Sequence, residues 1–415
     1  MGSTFVIVGG GAAAGKATQT LRDEGFDGRV VVITEEALPP YERPPLSKGV
    51  LLGNDDPSVP IMNDQAWYAE HDVELRLSTR VRSVDLAGRS VELAESEAGQ
   101  GGETVPFDRL LLATGSSVRR LRVPGADLDG VAYLRTLPQS LGLLEAFRAG
   151  ARVAVVGAGW IGLEVASAAR QHGCDVVVVE PESVPLAGPL GPEMGQVFAD
   201  LHREHGVDFR FGRQAARLRG GADGRVGAVV TDDDAEIDAD IVVVGIGVVP
   251  NVELAEQAGL EVDRGVLADA SLRTSDPDVF VAGDIAYWLH PVLGTRIRVE
   301  HWSNAMDGGA AAARSMMGRD VSYDVLPFFF TDQYDLGMEY SGHIGPDGYD
   351  RVVVRGDLDT REFLAFWLRD GRVLAGMNVN VWDVQDDIRG VILSGGAADP
   401  DRLADPGVPL RDLAR

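Results

Sequence analysis

Two glycine-rich turns, each placed between an apolar run and a helix-compatible run, limit what this chain can fold into more than any other feature. The first turn, residues 9–14, follows the apolar run 5–8, and the second, residues 157–162, follows the apolar run 152–156. In such a unit the glycines allow a tight turn and a close approach of the backbone to a pyrophosphate, whose charge the helix N-terminus favours. The sequence therefore predicts two dinucleotide-binding units in one chain.

An acidic residue follows each turn at the end of the next strand-like run. Glu35, or its neighbour Glu36, follows the run 29–33, and Glu180 ends the run 175–180. A carboxylate at this place accepts hydrogen bonds from ribose hydroxyls. At Glu180 the negative charge should also repel a 2′-phosphate, so the second site is predicted to prefer NADH to NADPH.

Composition and cysteine content exclude several classes of protein. The chain has 415 residues and a formal charge of −26, which disfavours binding to nucleic acid or to an anionic membrane. Its one cysteine, Cys174, is too few for a redox dithiol, and iron–sulfur clusters and structural zinc sites also need more such ligands, so no metal site is predicted. Cys174 is expected to be a small residue in a helix-to-strand turn. Residues 3–8 start a strand pattern without a basic leader, and no run of eighteen apolar residues follows, which predicts a cytoplasmic protein.

The fold class predicted from these patterns is α/β, with two Rossmann-like dinucleotide-binding domains plus a C-terminal α+β domain. A buried-strand pattern at 279–284 and a helix pattern at 304–317 are too short for a third nucleotide domain and should complete the first. The turn Asp370-Gly371 between aromatic and aliphatic runs predicts a hairpin in the last part. The predicted boundaries are 1–115 with 244–321 for the discontinuous first domain, 116–243 for the second, and 322–415 for the C-terminal domain, with a frayed tail after Gly396.

Five further blocks resemble a known family along nearly the whole chain. They are residues 40–48, 113–115, 162–164, 281–284 and 300–305. These blocks are similar to those of the FAD-dependent NADH:ferredoxin reductases of the putidaredoxin and rubredoxin reductase type, whose fold is glutathione-reductase-like, and apoptosis-inducing factor shares them. The resemblance implies FAD and NADH as cofactors and a hydride passed from NADH to FAD. It also implies single electrons passed to a ferredoxin or rubredoxin that serves an oxygenase or a cytochrome P450, and a monomer or homodimer.

The resemblance also implies a role for individual residues. Lys48 and Glu164 are expected to pair beside the flavin and nicotinamide, as a tuning and positioning pair at the catalytic centre. Asp284 is expected to bind a ribityl hydroxyl, although by pattern alone it is also a helix N-cap. The residues expected to contact FAD are Gly9, Gly11, Ala14, Glu35, Arg43, Lys48, Val81, Ala113, Gly115, Arg135, Asp284, Trp302 and Phe330. Those expected to contact NAD are Gly157, Gly159, Ile161, Gly162, Glu164, Glu180, Gly247, Glu300 and His301.

Two alternative functions are left open by the blocks. A coenzyme A disulfide reductase or NADH oxidase would need a redox cysteine in the region 40–48, which has none. An NADH-sensing flavoprotein like apoptosis-inducing factor would turn over slowly and keep a long-lived flavin–nicotinamide complex. At Phe330 the family often has tryptophan, a candidate for the electron route to the acceptor.

Overall fold

The computed structural model describes residues 2–94 and 102–413. The chain folds into two compact units and enters each of them more than once. The first unit comprises residues 1–44, 58–117 and 249–327; the second comprises residues 45–57, 118–248 and 328–415.

A five-stranded parallel sheet forms the centre of the first unit. In spatial order its strands are Val279–Val281, Arg109–Leu112, Thr4–Val8, Arg29–Ile33 and Val73–Arg76. The middle strands are buried on both faces, which explains their continuous runs of valine, isoleucine and leucine. The helix Ala12–Asp23 leaves this sheet at the first glycine turn and packs against the helix Trp302–Met316.

Two smaller sheets and two short helices complete the first unit. The strands are Val81–Asp85, Ser90–Leu93 and Thr104–Pro106 in one sheet, and Val266–Ala268, Ala286–His290 and Thr295–Ile297 in the other. The helices are Gln65–Glu70 and Glu253–Gln257, and Gly283–Ile285 forms a 3₁₀ turn.

The second unit contains another five-stranded parallel sheet, which the second glycine turn leaves. In spatial order its strands are Asp208–Phe211, Val176–Glu180, Val153–Val156, Ile241–Val244 and Val131–Ala132. Ala215–Gly220, Val226–Thr231 and Glu236–Asp238 form an antiparallel sheet beside it. Its helices are Gly49–Leu52, Leu137–Arg148, Trp160–Gln171 and Ala187–Glu204, the last bent at Gly191.

An antiparallel sheet from residues 328–379 forms the rest of the second unit. In spatial order its strands are Phe328–Gln333, Leu336–Gly342, Arg372–Val379, Glu362–Arg369 and Arg351–Asp357. Arg369 pairs with Arg372 across Asp370 and Gly371, as the hairpin prediction required. The helix Gln385–Ser394 packs on this sheet. Two parallel sheets and one antiparallel sheet with helices confirm the predicted fold class, whereas the predicted domain boundaries stay a prediction. The strands Ser116–Val118 and Val248–Pro250 lie where the chain passes from one unit to the other.

Residues after Gly396, which the sequence predicted to fray, instead form the helix Pro400–Ala404 and the 3₁₀ turn Leu410–Asp412. Leu403 and Leu410 are buried. The guanidinium of Arg355, which is only 9% exposed, donates to the carbonyl oxygens of residues 405, 406 and 408 at 2.6, 3.2 and 2.7 Å. The prediction overlooked this anchor because its partner residue lies some fifty positions upstream.

No helix within the described ranges combines the length and the apolar character that a membrane crossing requires. This holds for both units.

Candidate active site

The first glycine turn is shaped by backbone contacts that exclude side chains at one position and leave space at another. A Cβ placed on Gly9 would collide with the carbonyl oxygen of Ala113, and Gly9 has a φ of +147°. Among the described residues, nothing lies within 4 Å of a Cβ placed on Gly11, which is the N-cap of the helix Ala12–Asp23. The first turn of that helix carries no acidic side chain. Its N-terminal amides therefore lie beside open space, as a pyrophosphate site requires.

Of the two acids that follow this turn, the structure leaves Glu35 exposed and engages Glu36. The Glu35 side chain is 69% exposed and lies 4.0 Å from Arg80. The carboxylate of Glu36 accepts hydrogen bonds from Arg43 at 2.6 Å and from the Tyr41 hydroxyl at 2.5 Å. Arg43, predicted to bind FAD, is thus held by Glu36 and lies 4.3 Å from the Tyr41 ring centroid. A pattern of Glu36, Tyr41 and Arg43 within eight residues was the available signal for this network.

Asp284 is buried, 9% exposed, inside the 3₁₀ turn Gly283–Ile285, and a strand follows it. The sequence interpretation expected a helix after Asp284, with this residue as its N-cap, and that was wrong. The N-cap of the helix Trp302–Met316 is His301, whose Nδ1 accepts from the Ser303 amide at 3.3 Å. Glu300, predicted with His301 for NAD, pairs with Arg298.

The remaining predicted residues of the first unit occupy backbone positions around its sheet. Ala14 is fully buried, and Val81 is 6% exposed in the strand Val81–Asp85. Ala113 donates its amide to the carbonyl oxygen of Val8 at 2.8 Å, and Gly115 adopts a φ of +64°. These residues contribute backbone and methyl groups, so a role in binding would depend on shape.

The second glycine turn follows the same design in the second unit. A Cβ on Gly157 (φ +100°) would lie 2.6 Å from the carbonyl oxygen of Gly245, and a Cβ on Gly162 would collide with that of Gly157. Gly162 therefore allows the helix Trp160–Gln171 to lie against the strand before it. The nearest described atom to a Cβ on Gly159, the N-cap of that helix, is 3.9 Å away, and Ile161 is 41% exposed.

The carboxylate of Glu180 is fixed against this turn by backbone amides. Its Oε2 accepts from the Ala158 amide at 2.6 Å, and its Oε1 accepts from the Glu182 amide at 3.0 Å. Gly247 lies after the strand Ile241–Val244 with a φ of +95° and accepts from the Arg119 amide at 2.9 Å. Negative charge is therefore held at the place where the sequence predicted a ribose acceptor.

The predicted pair of Lys48 and Glu164 is brought together in the second unit. Lys48 Nζ lies 2.7 Å from Glu164 Oε1, and the two side chains are 17% and 4% exposed. The hydroxyls of Ser47 and Thr331 also donate to the Glu164 carboxylate, the latter at 2.5 Å. Lys48 Nζ lies 5.3 Å from the ring centroid of Phe330, a cation–π distance.

The sequence interpretation missed Ser47 and Thr331. A readable signal was present at Thr331, because Thr331 and Gln333 are polar residues at alternate positions of an otherwise apolar strand. Both are 1% exposed, which places them on the buried face. Arg135, predicted for FAD, precedes the capped helix Leu137–Arg148 in the same unit and donates its amide to Gln139 at 2.8 Å.

Cys174 is 1% exposed, and its thiol donates to the carbonyl oxygen of Phe147 at 3.4 Å. Burial raises the pKa of this thiol. A buried, protonated thiol is a poor nucleophile, so the structural reading of Cys174 agrees with its surroundings. No cluster of three or more potential metal ligands occurs in the part of the chain that the structure describes.

The two turns fit bound dinucleotides because each has an open glycine at a helix N-terminus, and the second also has a fixed acid. These features define an oxidoreductase that binds two dinucleotides. The model for the pyridine nucleotide-disulphide oxidoreductases matches residues 3–309, and the model for the reductase C-terminal domain matches residues 328–414. The chain belongs to the pyridine nucleotide-disulphide oxidoreductase family.

Similar proteins extend over almost the whole chain. It is 41% identical over 409 residues to the ferredoxin–NAD(+) reductase component of the anthranilate 1,2-dioxygenase system of Burkholderia cepacia, covering 98% of each protein. It is 36% identical to rhodocoxin reductase of Rhodococcus erythropolis, covering 98% of this chain and 93% of the relative. The crystal structure of the covalent putidaredoxin reductase–putidaredoxin complex matches with a TM-score of 0.93 and 32% identity, over 99% of this chain and 98% of that one. The resemblance to ferredoxin reductases is thus confirmed.

Proposed function

We propose that this protein is an FAD-dependent NADH:ferredoxin reductase. The observation that carries the proposal is the buried pair of Lys48 and Glu164, placed on the helix that begins at the second glycine turn. Each NADH consumed would reduce two one-electron acceptors, ferredoxin or rubredoxin, and release one proton. The relatives named as reductase components of oxygenase systems support this choice of acceptor.

The protein's residues bind and orient, and the cofactors supply the redox chemistry. Bound FAD accepts two electrons together and releases them one at a time. Glu180 would accept from a ribose hydroxyl of NADH, and Asp284 would accept from a ribityl hydroxyl. Lys48, with its charge held by Glu164 in a site that excludes water, would place a fixed cation at the reacting centre.

The buried Cys174 carries no proposed redox role. The predicted FAD and NAD contacts and the three predicted domains are kept as part of this proposal, as is a cytoplasmic location. Pyrophosphate recognition at Gly11 and Gly159 is supported by the open space beside both glycines.

Turnover with a defined acceptor tests the function. The purified holoenzyme is mixed with NADH and a two-iron ferredoxin or a rubredoxin, with cytochrome c as the reporter of acceptor reduction. We expect NADH oxidation to need the acceptor and a Cys174→Ser control to keep the wild-type rate. NADH oxidation that consumes oxygen equally well without any acceptor would refute the proposal in favour of an oxidase. A flavin that stays complexed to nicotinamide without turnover would favour an NADH sensor.

A further inference from the structure

Glu164 has a second, uncharged set of partners besides Lys48. Its Oε1 accepts from Lys48 Nζ at 2.7 Å and from Thr331 Oγ1 at 2.5 Å, and its Oε2 accepts from the Ser47 hydroxyl. At 4% exposure, the carboxylate has little access to water and depends on these donors. Burying an ionised carboxylate is costly unless such partners are supplied.

Behind Thr331 lies a chain of hydrogen bonds that all point in one direction. Gln333 Nε2 donates to Thr331 Oγ1 at 3.1 Å, and Gln333 Oε1 lies 2.7 Å from His202 Nε2. The Thr331 hydroxyl has a single hydrogen, which it gives to Glu164, so it can only accept from Gln333. The amide oxygen of Gln333 can likewise only accept, so His202 must donate from Nε2.

The state of His202 agrees with this direction. Burial lowers its pKa to about 4, so at neutral pH the ring is uncharged, with one nitrogen donating and the other accepting. The accepting nitrogen, Nδ1, lies 3.5 Å from the Tyr334 hydroxyl. His202, Gln333 and Thr331 are 0%, 1% and 1% exposed. A fully buried relay of three polar side chains therefore ends on one carboxylate.

We propose that Thr331, oriented by Gln333 and His202, is a positioning residue for hydride transfer, which fixes the Glu164 carboxylate and thereby the Lys48 ammonium. The inference rests on the proposed function and adds a residue set to its site. A hydrophobic core of similar volume would be at least as stable as this polar relay, so stability alone gives no reason for it.

The same strand supplies a second constraint on Lys48. In Phe328–Gln333 the side chains alternate between faces, with Thr331 and Gln333 on the buried face. Phe330, one residue before Thr331, places its ring 5.3 Å from Lys48 Nζ. One strand thus contacts both members of the ion pair, through a hydroxyl on Glu164 and a ring beside Lys48.

Replacing the hydroxyl by a methyl group tests the proposal with little change in volume. Thr331→Val and Thr331→Ser holoenzymes are mixed rapidly with NADH in the absence of oxygen, and flavin bleaching is followed over a range of NADH concentrations. Losing a hydrogen bond to a charged group should slow the limiting rate of flavin reduction about 10- to 100-fold in T331V. The NADH concentration for half-saturation and the FAD content should stay at wild-type values, and T331S should restore the rate.

Each outcome decides between function and structure. A T331V enzyme with the wild-type limiting rate would refute the positioning role while leaving the reductase function intact. An equal loss of rate in T331S would also refute it, since serine keeps the hydroxyl. If T331V loses FAD, Gln333→Met, which keeps Thr331, decides: we expect a smaller slowing than tenfold, and a wild-type rate would refute the relay. A wild-type flavin that NADH does not reduce would overturn the proposed function itself.

Discussion

Replacing Glu180 separates the two ways in which an acid selects NADH. The carboxylate is fixed by the amides of Ala158 and Glu182 at 2.6 and 3.0 Å, so its charge and its acceptor atoms have a defined place beside the second glycine turn. Glu180→Gln removes the charge and keeps one acceptor oxygen. Glu180→Ala removes both, and it also leaves the two amides without their acceptor.

The expected magnitudes follow from the loss of these contacts. A hydrogen bond to a charged group contributes about 1.5–3 kcal/mol, so E180A should lower kcat/KM for NADH about 10- to 100-fold. A neutral acceptor retains roughly half of that contribution, so E180Q should lose only about fivefold with NADH. Removing a repulsive charge near the surface contributes about 1 kcal/mol, so E180Q should gain about fivefold with NADPH.

Steady-state rates with ferricyanide as a generic acceptor measure these changes without any iron–sulfur partner. Both kcat/KM values are determined for wild type, E180Q and E180A at constant ionic strength, because salt screens the repulsion. The ratio of NADH to NADPH should fall in both variants, and only E180Q should gain with NADPH in absolute terms. An unchanged ratio in both would refute the assignment of Glu180 to the ribose.

Three other changes test the remaining parts of the site. Lys48→Met should lower the free energy of unfolding by about 3 kcal/mol, because Glu164 is left charged and buried, and the double variant with Glu164→Gln should recover part of that loss in urea titrations; additive losses would contradict a coupled pair. Asp284→Ala should lower the ratio of flavin to protein absorbance in the purified protein, and full flavin content would show that the ribityl contact is misplaced. His202 has a folded-state pKa of about 4, below its unfolded value, so the unfolded chain takes up the proton first and stability should fall by about 3 kcal/mol as pH decreases from 6.5 to 4. In H202L this share of the pH dependence should vanish, and an unchanged slope of stability against pH would rule out the buried neutral ring.

The parallel sheets were predictable because their signals are local. A glycine turn is specified within six residues, and Gly9, Gly157 and Gly162 all lie where a side chain would meet backbone. The hairpin at Asp370 and Gly371 was read in the same way. Backbone sterics and short-range periodicity decide such elements, so one sequence is enough.

The donor set around Glu164 could not be predicted in this way. Ser47 and Thr331 lie 117 and 167 positions from Glu164 in the chain, and their hydroxyls are short groups that occur everywhere on protein surfaces. Only tertiary packing makes them neighbours. The error at Asp284 has a related cause, since a Gly-Asp pair after a strand is followed equally well by a helix or by a 3₁₀ turn and a further strand.

The contacts of Arg355 set a limit on how the chain can be shortened or extended by design. Its guanidinium donates to carbonyl oxygens as far along as Val408, so a truncation before that residue would leave a charged group buried without acceptors in the last sheet. An added ferredoxin module joined beyond residue 408 would instead leave the anchor intact. A pulling force on such a fusion would be carried by Arg355 and its strand before it reached the strand that holds Thr331.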